Sequence, residues 1–570
     1  MYEMTNKLVV LLSILGVAFG ASMEIIKPSE AFNNSAKLDN GGNYFLFWNF
    51  NSSHITFEVH VNTTGWVAFG LSDNGNMYPG DVVVGWVDNR GATTFSDRHT
   101  NGHVMPIKDA SQDWHLLHGE EVNSFTVLKF VRKIETCDTT DDITIPSGTT
   151  RLIFAYGQSD PTSEDTISYH GTTRGTKSVS LLSKVVVPQN FPDDVVTFDF
   201  LNNDYLLPNA TTTYYCKGFF LPDFGKHHMI KFEPVITPGN EKTVHHIQVN
   251  RCKNVNRTQS ENAQGECLEG RPRAFPSNCR DTFIAWAIGG EAFYFPEDVG
   301  FPVLEDPNVN EYYLMETHYD NPTQKTGVID NSGIRITLTK QFRRNEASLL
   351  EIGVTINPHH VIPPGLPAFI SSGYCTDRCI SEALKQGRVQ EVKAFSHMHH
   401  SHLLGRAMKT RHFRNGTELK PLAYEPAYDF NFQEFRLFPE EIPIRPGDSF
   451  TVECTYDSTK RSEPTFGGFS TLDEMCVAYV YFYPALKVTR CESEPRYPVY
   501  NLDPRQMIEN VRSANWTDPA VVKDFMDNFS MAKHYHRCNG QNHFGVYAGT
   551  YSEPLPHLPY VPPAPNCTHN

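Results

Sequence analysis

Four runs near the start of the chain decide how its fold is read: Tyr44-Phe-Leu-Phe-Trp48, Ile55-Thr-Phe-Glu-Val-His-Val61, Trp66-Val-Ala-Phe69 and Asp81-Val-Val-Val-Gly-Trp-Val87. Each is dense in β-branched and aromatic residues, and clusters of Gly, Asn and Asp separate them. Phe125 to Val131 and Arg151 to Tyr156 continue the pattern. Short strands at this spacing predict a β-sandwich.

The same texture continues outward. Met229–Phe232, Thr243–Val249, Phe283–Ile288 and Tyr312–Tyr319 read as strands of a second β-rich unit. Leu349–Ile356, Gln390–Phe395, Asp429–Leu437, Ser449–Thr455 and Val477–Tyr483 read as strands of a third. Helices are scarce; Pro519–Met531 is the one expected. The organisation is a leader over 1–20, a first unit over 21–185, a linker over 186–209, units over 210–342 and 343–495, and an extension over 496–570. The expected class is mainly β: an N-terminal β-sandwich followed by two more.

With 570 residues the chain has ample length for several cores. Its 49 basic and 65 acidic residues give a net charge of −16 with no basic stripe. Nucleic acid is therefore not an expected partner. Lys7, the apolar run Leu8–Phe19 and Ala18-Phe-Gly20 read as a secretory leader. No later stretch is long and apolar enough to span a bilayer once the leader is removed. The twelve cysteines all follow residue 20, and their number is even. Disulfides are favoured over zinc, although spacing alone does not give the pairing. Nine Asn-x-Ser/Thr sequons, at Asn33, Asn51, Asn62, Asn209, Asn256, Asn415, Asn515, Asn528 and Asn566, read as glycosylation sites. Secretion, or residence in the lumen of the endoplasmic reticulum or granules, fits these features. A non-covalent homodimer stays open. The acidic pairs Asp141-Asp142 and Asp193-Asp194 read as solvated loops.

Histidine carries the chemistry. The densest run is His397-Met-His-His-Ser-His402, and adjacent pairs occur at His227-His228, His245-His246 and His359-His360. Neutral imidazole is the commonest metal ligand at neutral pH. His400 and His402 would share one face of a strand, as would His397 and His399, and spacing does not choose between the sets. His245 and His246 could meet one metal only at a strand end or a bulge. His318 reads as a polar strand residue and Met475 as core. A thioether joined to imidazoles would suit copper.

At these residues the chain resembles the type II, ascorbate-dependent copper monooxygenases. Val244-His-His-Ile-Gln-Val249 followed by Cys252, Glu316-Thr-His-Tyr-Asp-Asn-Pro322, His400-Ser-His-Leu-Leu-Gly-Arg406 and Gly467-Gly-Phe-Ser-Thr-Leu-Asp-Glu-Met-Cys476 look like the family's ligand segments, in family order. The first unit resembles a DOMON domain, and the two later units would be jelly-roll-like copper-binding sandwiches. Arg411-His-Phe-Arg-Asn-Gly416 and Tyr428-Asp-Phe-Asn-Phe-Gln-Glu-Phe435 are similar to the branch of dopamine β-monooxygenase and the DBH-like monooxygenases.

The resemblance implies two copper ions per chain, one on His245, His246 and His318, the other on His400, His402 and Met475. His397 and His399 then become bystanders. It also implies the disulfides Cys137–Cys567, Cys216–Cys267, Cys252–Cys279, Cys375–Cys491, Cys379–Cys538 and Cys454–Cys476. The implied activity is hydroxylation of an activated C–H bond of a small molecule with O2 as co-substrate and ascorbate as electron donor. The histidine-only copper would store an electron and the other would activate O2. Residues that bind ascorbate are not indicated. The amidating branch grips a peptide carboxylate with an arginine, an asparagine and a tyrosine; here those positions are Met398, Val477 and Tyr479. Without the arginine, a phenylethylamine-like substrate is favoured over a peptide. Glu351 is a weak amine-binding candidate. The reading from another class is a non-catalytic secreted glycoprotein that binds copper or a ligand.

Overall fold

The computed structural model describes residues 27–183, 191–223, 225–267, 274–276, 279, 281–306, 308–496, 504–530, 532–540, 547–551, 560–562 and 567. The leader expected at 1–20 and the sequon at Asn566 lie outside them.

The first unit is a two-sheet sandwich. Five strands run in the spatial order Asn34–Lys37, Tyr44–Phe50, His54–Val61, Phe125–Lys133, His115–Val122. Six face them, with Thr150–Tyr156, Val67–Ser72 and Gly80–Val87 at the centre. Period-two alternation makes the core: Tyr44, Leu46 and Trp48 are buried while Phe45 and Phe47 are only half-buried. Phe57, Phe69, Trp114 and Phe130 meet between the sheets, with Phe57 and Phe69 centroids 5.2 Å apart. The Asp141-Asp142 pair lies in a loop as expected, but Asp142 is not solvated. Asp142 is buried beside Asp81 and Arg132, and burial pushes its carboxyl up to about 7.

The second unit pairs a sheet through Gly333–Thr339 and His227–Val235 with one ordered Gln264–Glu266, Thr212–Phe219, Glu311–Asp320, Val244–Lys253, Asp281–Ala287. The third has a seven-stranded sheet ordered Arg436–Ile444, Val392–His400, Val477–Tyr483, Ser348–Val354, Val488–Arg496, Lys533–Gly540, Tyr547–Tyr551. Against it lies a sheet through Phe369–Cys375, Asp448–Tyr456 and Gly405–Arg414. The second and third units share one apolar core. Phe283, Phe293, Phe301 and Tyr313 from one side pack with Phe395, Val477, Tyr479 and Tyr481 from the other.

The strand read over Asp429–Leu437 begins only at Arg436. Asp429 closes a turn instead, accepting from Asn431 N through its side chain and from Phe432 N through its carbonyl. Helices Asp377–Gly387 and Pro504–Ser513 join the expected one, Pro519–Ser530. The first of these is capped by Thr376, whose hydroxyl accepts from Cys379 N, and buries Cys379, Ile380, Ala383 and Leu384. The extension is part of the third unit's sheet, because Lys533–Gly540 pairs with Val488–Arg496.

All twelve cysteines are joined, as Cys137–Cys567, Cys216–Cys267, Cys252–Cys279, Cys375–Cys491, Cys379–Cys538 and Cys454–Cys476. These are the six pairs the resemblance implied. No helix among the described residues is long and apolar enough to cross a membrane.

The two sheets of the third unit come close at Gly353 and Gly373. A Cβ on Gly353 would lie 2.2 Å from the Cys476 carbonyl, and one on Gly373 would lie 2.0 Å from Gly353 C. Backbone cannot yield as a flexible side chain can. Gly373→Ala should therefore cost about 3 kcal/mol or more, seen as lost secretion or a depressed thermal midpoint. Gly102→Ala, whose Cβ meets nothing within 4 Å, should leave both unchanged.

Candidate metal centre

His245 and His246 stand at the start of the strand Val244–Lys253. Pairing with the neighbouring strand goes from Val244↔Tyr319 directly to His246↔His318, so His245 is the extra residue of a bulge. That irregularity lets adjacent imidazoles face one point, which a regular strand forbids. His318 lies across from His246, and on its other side the Tyr214 ring stacks on it at 4.5 Å and 7°.

The three rings present Nδ1 to one another. His245 Nδ1 and His246 Nδ1 are 3.3 Å apart, and His246 Nδ1 and His318 Nδ1 are 3.1 Å apart. The far nitrogens are occupied elsewhere: His245 Nε2 donates to the Phe430 carbonyl at 3.2 Å, and His318 Nε2 lies 2.8 Å from Thr471 Oγ1. The carbonyl contact assigns His245 Nδ1 as a lone-pair acceptor, and the Thr471 hydroxyl, which can donate as well as accept, holds the His318 ring in place. Separations just over 3 Å are what ligands about 2.0 Å from one ion subtend. The triad His245, His246 and His318 therefore fits a copper ion.

His400 ends the strand Val392–His400, and His402 lies two residues on, just past the strand. His400 Nδ1 donates to Gln433 Oε1 at 2.7 Å, and His402 Nδ1 donates to the Asp473 carbonyl at 3.0 Å. His402 Nε2 is buried without a partner. The two rings are 5.3 Å apart and nearly perpendicular. His400 is also 5.3 Å from His246, so the five imidazoles form one cluster. Met475 is buried in the loop after Asp473.

One carboxylate fastens these loops. Glu474 Oε2 accepts from Ser401 Oγ and His402 N, each at 2.9 Å, and from Met475 N at 3.2 Å, while Oε1 accepts from Leu404 N at 2.6 Å. Burial pushes Glu474 up to about 7, against these bonds. Burial, then the neighbouring imidazoles, holds His246, His318 and His402 well below the ordinary histidine range. Burial likewise lowers His245 to about 3 and His400 to about 4. All five are neutral at pH 7, with lone pairs free for a metal.

The other singled-out histidines stand apart. His397 and His399 occupy the opposite face of their strand, His397 half-buried and His399 buried. His228 meets Glu346 at 3.3 Å, and His360 is buried near Tyr456. Glu351 is paired with Arg490 at 3.4 Å, which neutralises the charge an amine would need. Of the described sequons, Asn528 needs correction: it is 8% exposed within a helix and donates to the Asp524 carbonyl, so its amide is not presented as the glycosylation reading requires. Sequence reading missed Tyr214, Phe430, Gln433, Thr471 and Glu474. Only Glu474 left a trace, an acidic residue beside a methionine expected in the core.

The family descriptions "Copper type II ascorbate-dependent monooxygenase, N-terminal domain" and "C-terminal domain" match residues 198–326 and 345–502. A DOMON domain matches residues 39–157. DBH-like monooxygenase protein 1 of Homo sapiens is 41% identical over 485 residues, 84% of this chain and 77% of that one. The protein of the same name from Gallus gallus is 41% identical over 85% of this chain and 77% of its own. Dopamine beta-hydroxylase of Bos taurus is 34% identical over 83% of this chain and 77% of its own.

Histidines held neutral by burial make the metal-free protein acid-sensitive. Their folded pKa values lie below the unfolded value of about 6.5, so their contribution is complete above that pH and is lost as pH falls through the folded values. The thermal midpoint of metal-free protein should fall steadily from pH 7 to pH 4. A flat midpoint over that interval would refute the neutral cluster.

Proposed function

The chain belongs to the copper type II ascorbate-dependent monooxygenase family, and from that membership we propose that it hydroxylates an activated C–H bond of a small, phenylethylamine-like substrate. The observation that carries the reading is the buried cluster of five neutral imidazoles with Met475 alongside. In this reading His245, His246 and His318 hold one copper, and His400, His402 and Met475 hold the other. The coppers supply one-electron storage and O2 activation when bound. The balance is R–H + O2 + 2 e− + 2 H+ → R–OH + H2O, with ascorbate giving the electrons.

The chain's own groups do the rest. Phe430, Thr471, Gln433 and Asp473 hold the outer nitrogens and so fix which nitrogen of each ring faces inward. Gln433 also lines a cavity of about 100 Å³ walled by Trp286, Phe293, Tyr294, Met398 and Phe435 together with Glu291, Glu434 and Arg436. The arginine is already paired with Glu425 and Glu434, so the aromatic wall favours an apolar ring over a peptide carboxylate. Closely packed apolar surroundings exclude bulk water from the reacting bond. Twelve paired cysteines favour a secretory compartment.

The test supplies copper-loaded, secreted protein with ¹⁸O2, ascorbate and tyramine, dopamine or phenylethylamine. One labelled oxygen in the product, dependent on ascorbate, is expected by mass spectrometry. Met475→Ile should leave secretion intact and reduce turnover to background. Undiminished turnover in that variant would remove Met475 from the site.

A further inference from the structure

His397 and His399 face away from the copper cluster, and the chemistry they meet there is metal-binding in its own right. The strand Ala423–Glu425 brings Glu425 to them, and one ligand atom from each of the three lies within 4.8 Å of the others. We propose that His397, His399 and Glu425 form a third metal site, taking a borderline divalent ion, Zn²⁺ or Cu²⁺, beside the contact between the first and third units.

Three observations support it. His397 Nδ1 and His399 Nδ1 are buried with no hydrogen-bond partner, a costly state for a polar atom. His399 Nε2 lies 2.8 Å from Thr410 Oγ1, which fixes that ring and aims its other nitrogen inward. His397 is stacked on Phe438 at 4.9 Å and 7°, so its plane is fixed as well.

The charges around the site also suit a cation. Glu425 is paired with Arg436, whose Nε also meets Glu434 at 3.1 Å. Two carboxylates thus face one guanidinium. Glu425 Oε2 accepts from Thr149 N at 2.6 Å, and Arg436 Nη2 donates to Thr149 Oγ1 at 3.0 Å. Thr149 belongs to the first unit, so an ion on Glu425 stiffens the contact between units. Two imidazoles and one carboxylate are a donor set for zinc or copper(II), not for calcium or magnesium.

The experiment uses full-length secreted protein with both copper sites filled, dialysed against Zn²⁺ and, in a parallel arm, against excess Cu²⁺. Metals are counted by mass spectrometry. One extra ion per chain is expected, and the arm that retains it names the metal. His399→Leu and His397→Phe should each abolish that extra ion while two coppers remain. Absorption-edge spectroscopy on the wild type should show two imidazole nitrogens and an oxygen at about 2.0–2.2 Å, a readout that needs no variant. No extra ion in either arm, an all-oxygen shell, or undiminished retention in both variants would each overturn the site. The proposal does not rest on catalysis, and the copper count is read separately from the third ion.

Discussion

The apolar seam between the second and third units governs the site. Tyr481 from the third unit stacks on Phe293 of the second at 5.5 Å and 16° and meets Phe435 at 4.7 Å. Around it Phe283, Phe295, Phe395 and Tyr479 are buried in one continuous cluster. Burial of this extent makes the halves a single packed body. The seam also places His246 beside His400, 5.3 Å apart though 154 residues separate them in the chain. The orientation of the first triad depends on the seam as well. Its outer nitrogens are held by Phe430 and Thr471, both contributed by the third unit. The second unit alone does not orient its own triad.

This division explains what the sequence reveals. Alternation such as Tyr44, Leu46, Trp48 exposes a strand because the side-chain period is fixed by the backbone. Even the bulge at His245 was legible as a requirement, since two adjacent residues cannot otherwise meet one point. The roles of Gln433 and Phe430 were not legible. They sit in a stretch whose aromatic alternation imitates a strand, while Asp429 closes a turn that releases them toward the cluster. The helix Asp377–Gly387 was hidden for a related reason. Its eleven residues bury only Cys379, Ile380, Ala383 and Leu384, a short apolar face amid β-rich sequence. Contacts made hundreds of residues apart have no local signature.

Burial has opposite consequences for the two kinds of charge-bearing group here. It removes the proton from every imidazole, which readies the cluster for a cation. It also raises Glu474 to about 7, although three backbone amides and a serine hydroxyl favour its carboxylate. Those donors make Glu474 a splice between the loop carrying His402 and the loop carrying Met475. The Cys454–Cys476 bond anchors the far side of Met475, and the Tyr456 hydroxyl donates to its carbonyl at 2.7 Å. These bonds fix the backbone on both sides of the Met475 thioether.

The first unit takes part in the same construction. Arg151 Nη2 donates to the Tyr428 carbonyl at 2.5 Å, and Ser178 Oγ donates to Asp429 Oδ2 at 2.5 Å. Thr149 N reaches Glu425. These contacts hold residues 425–429, and the turn they brace delivers Phe430 to His245 and Gln433 to His400. Tyr428 itself exchanges two hydrogen bonds with Ser401, between the two histidines of the second set. The first unit is therefore linked to both histidine sets through a few short hydrogen bonds, and it braces the turn that orients their rings.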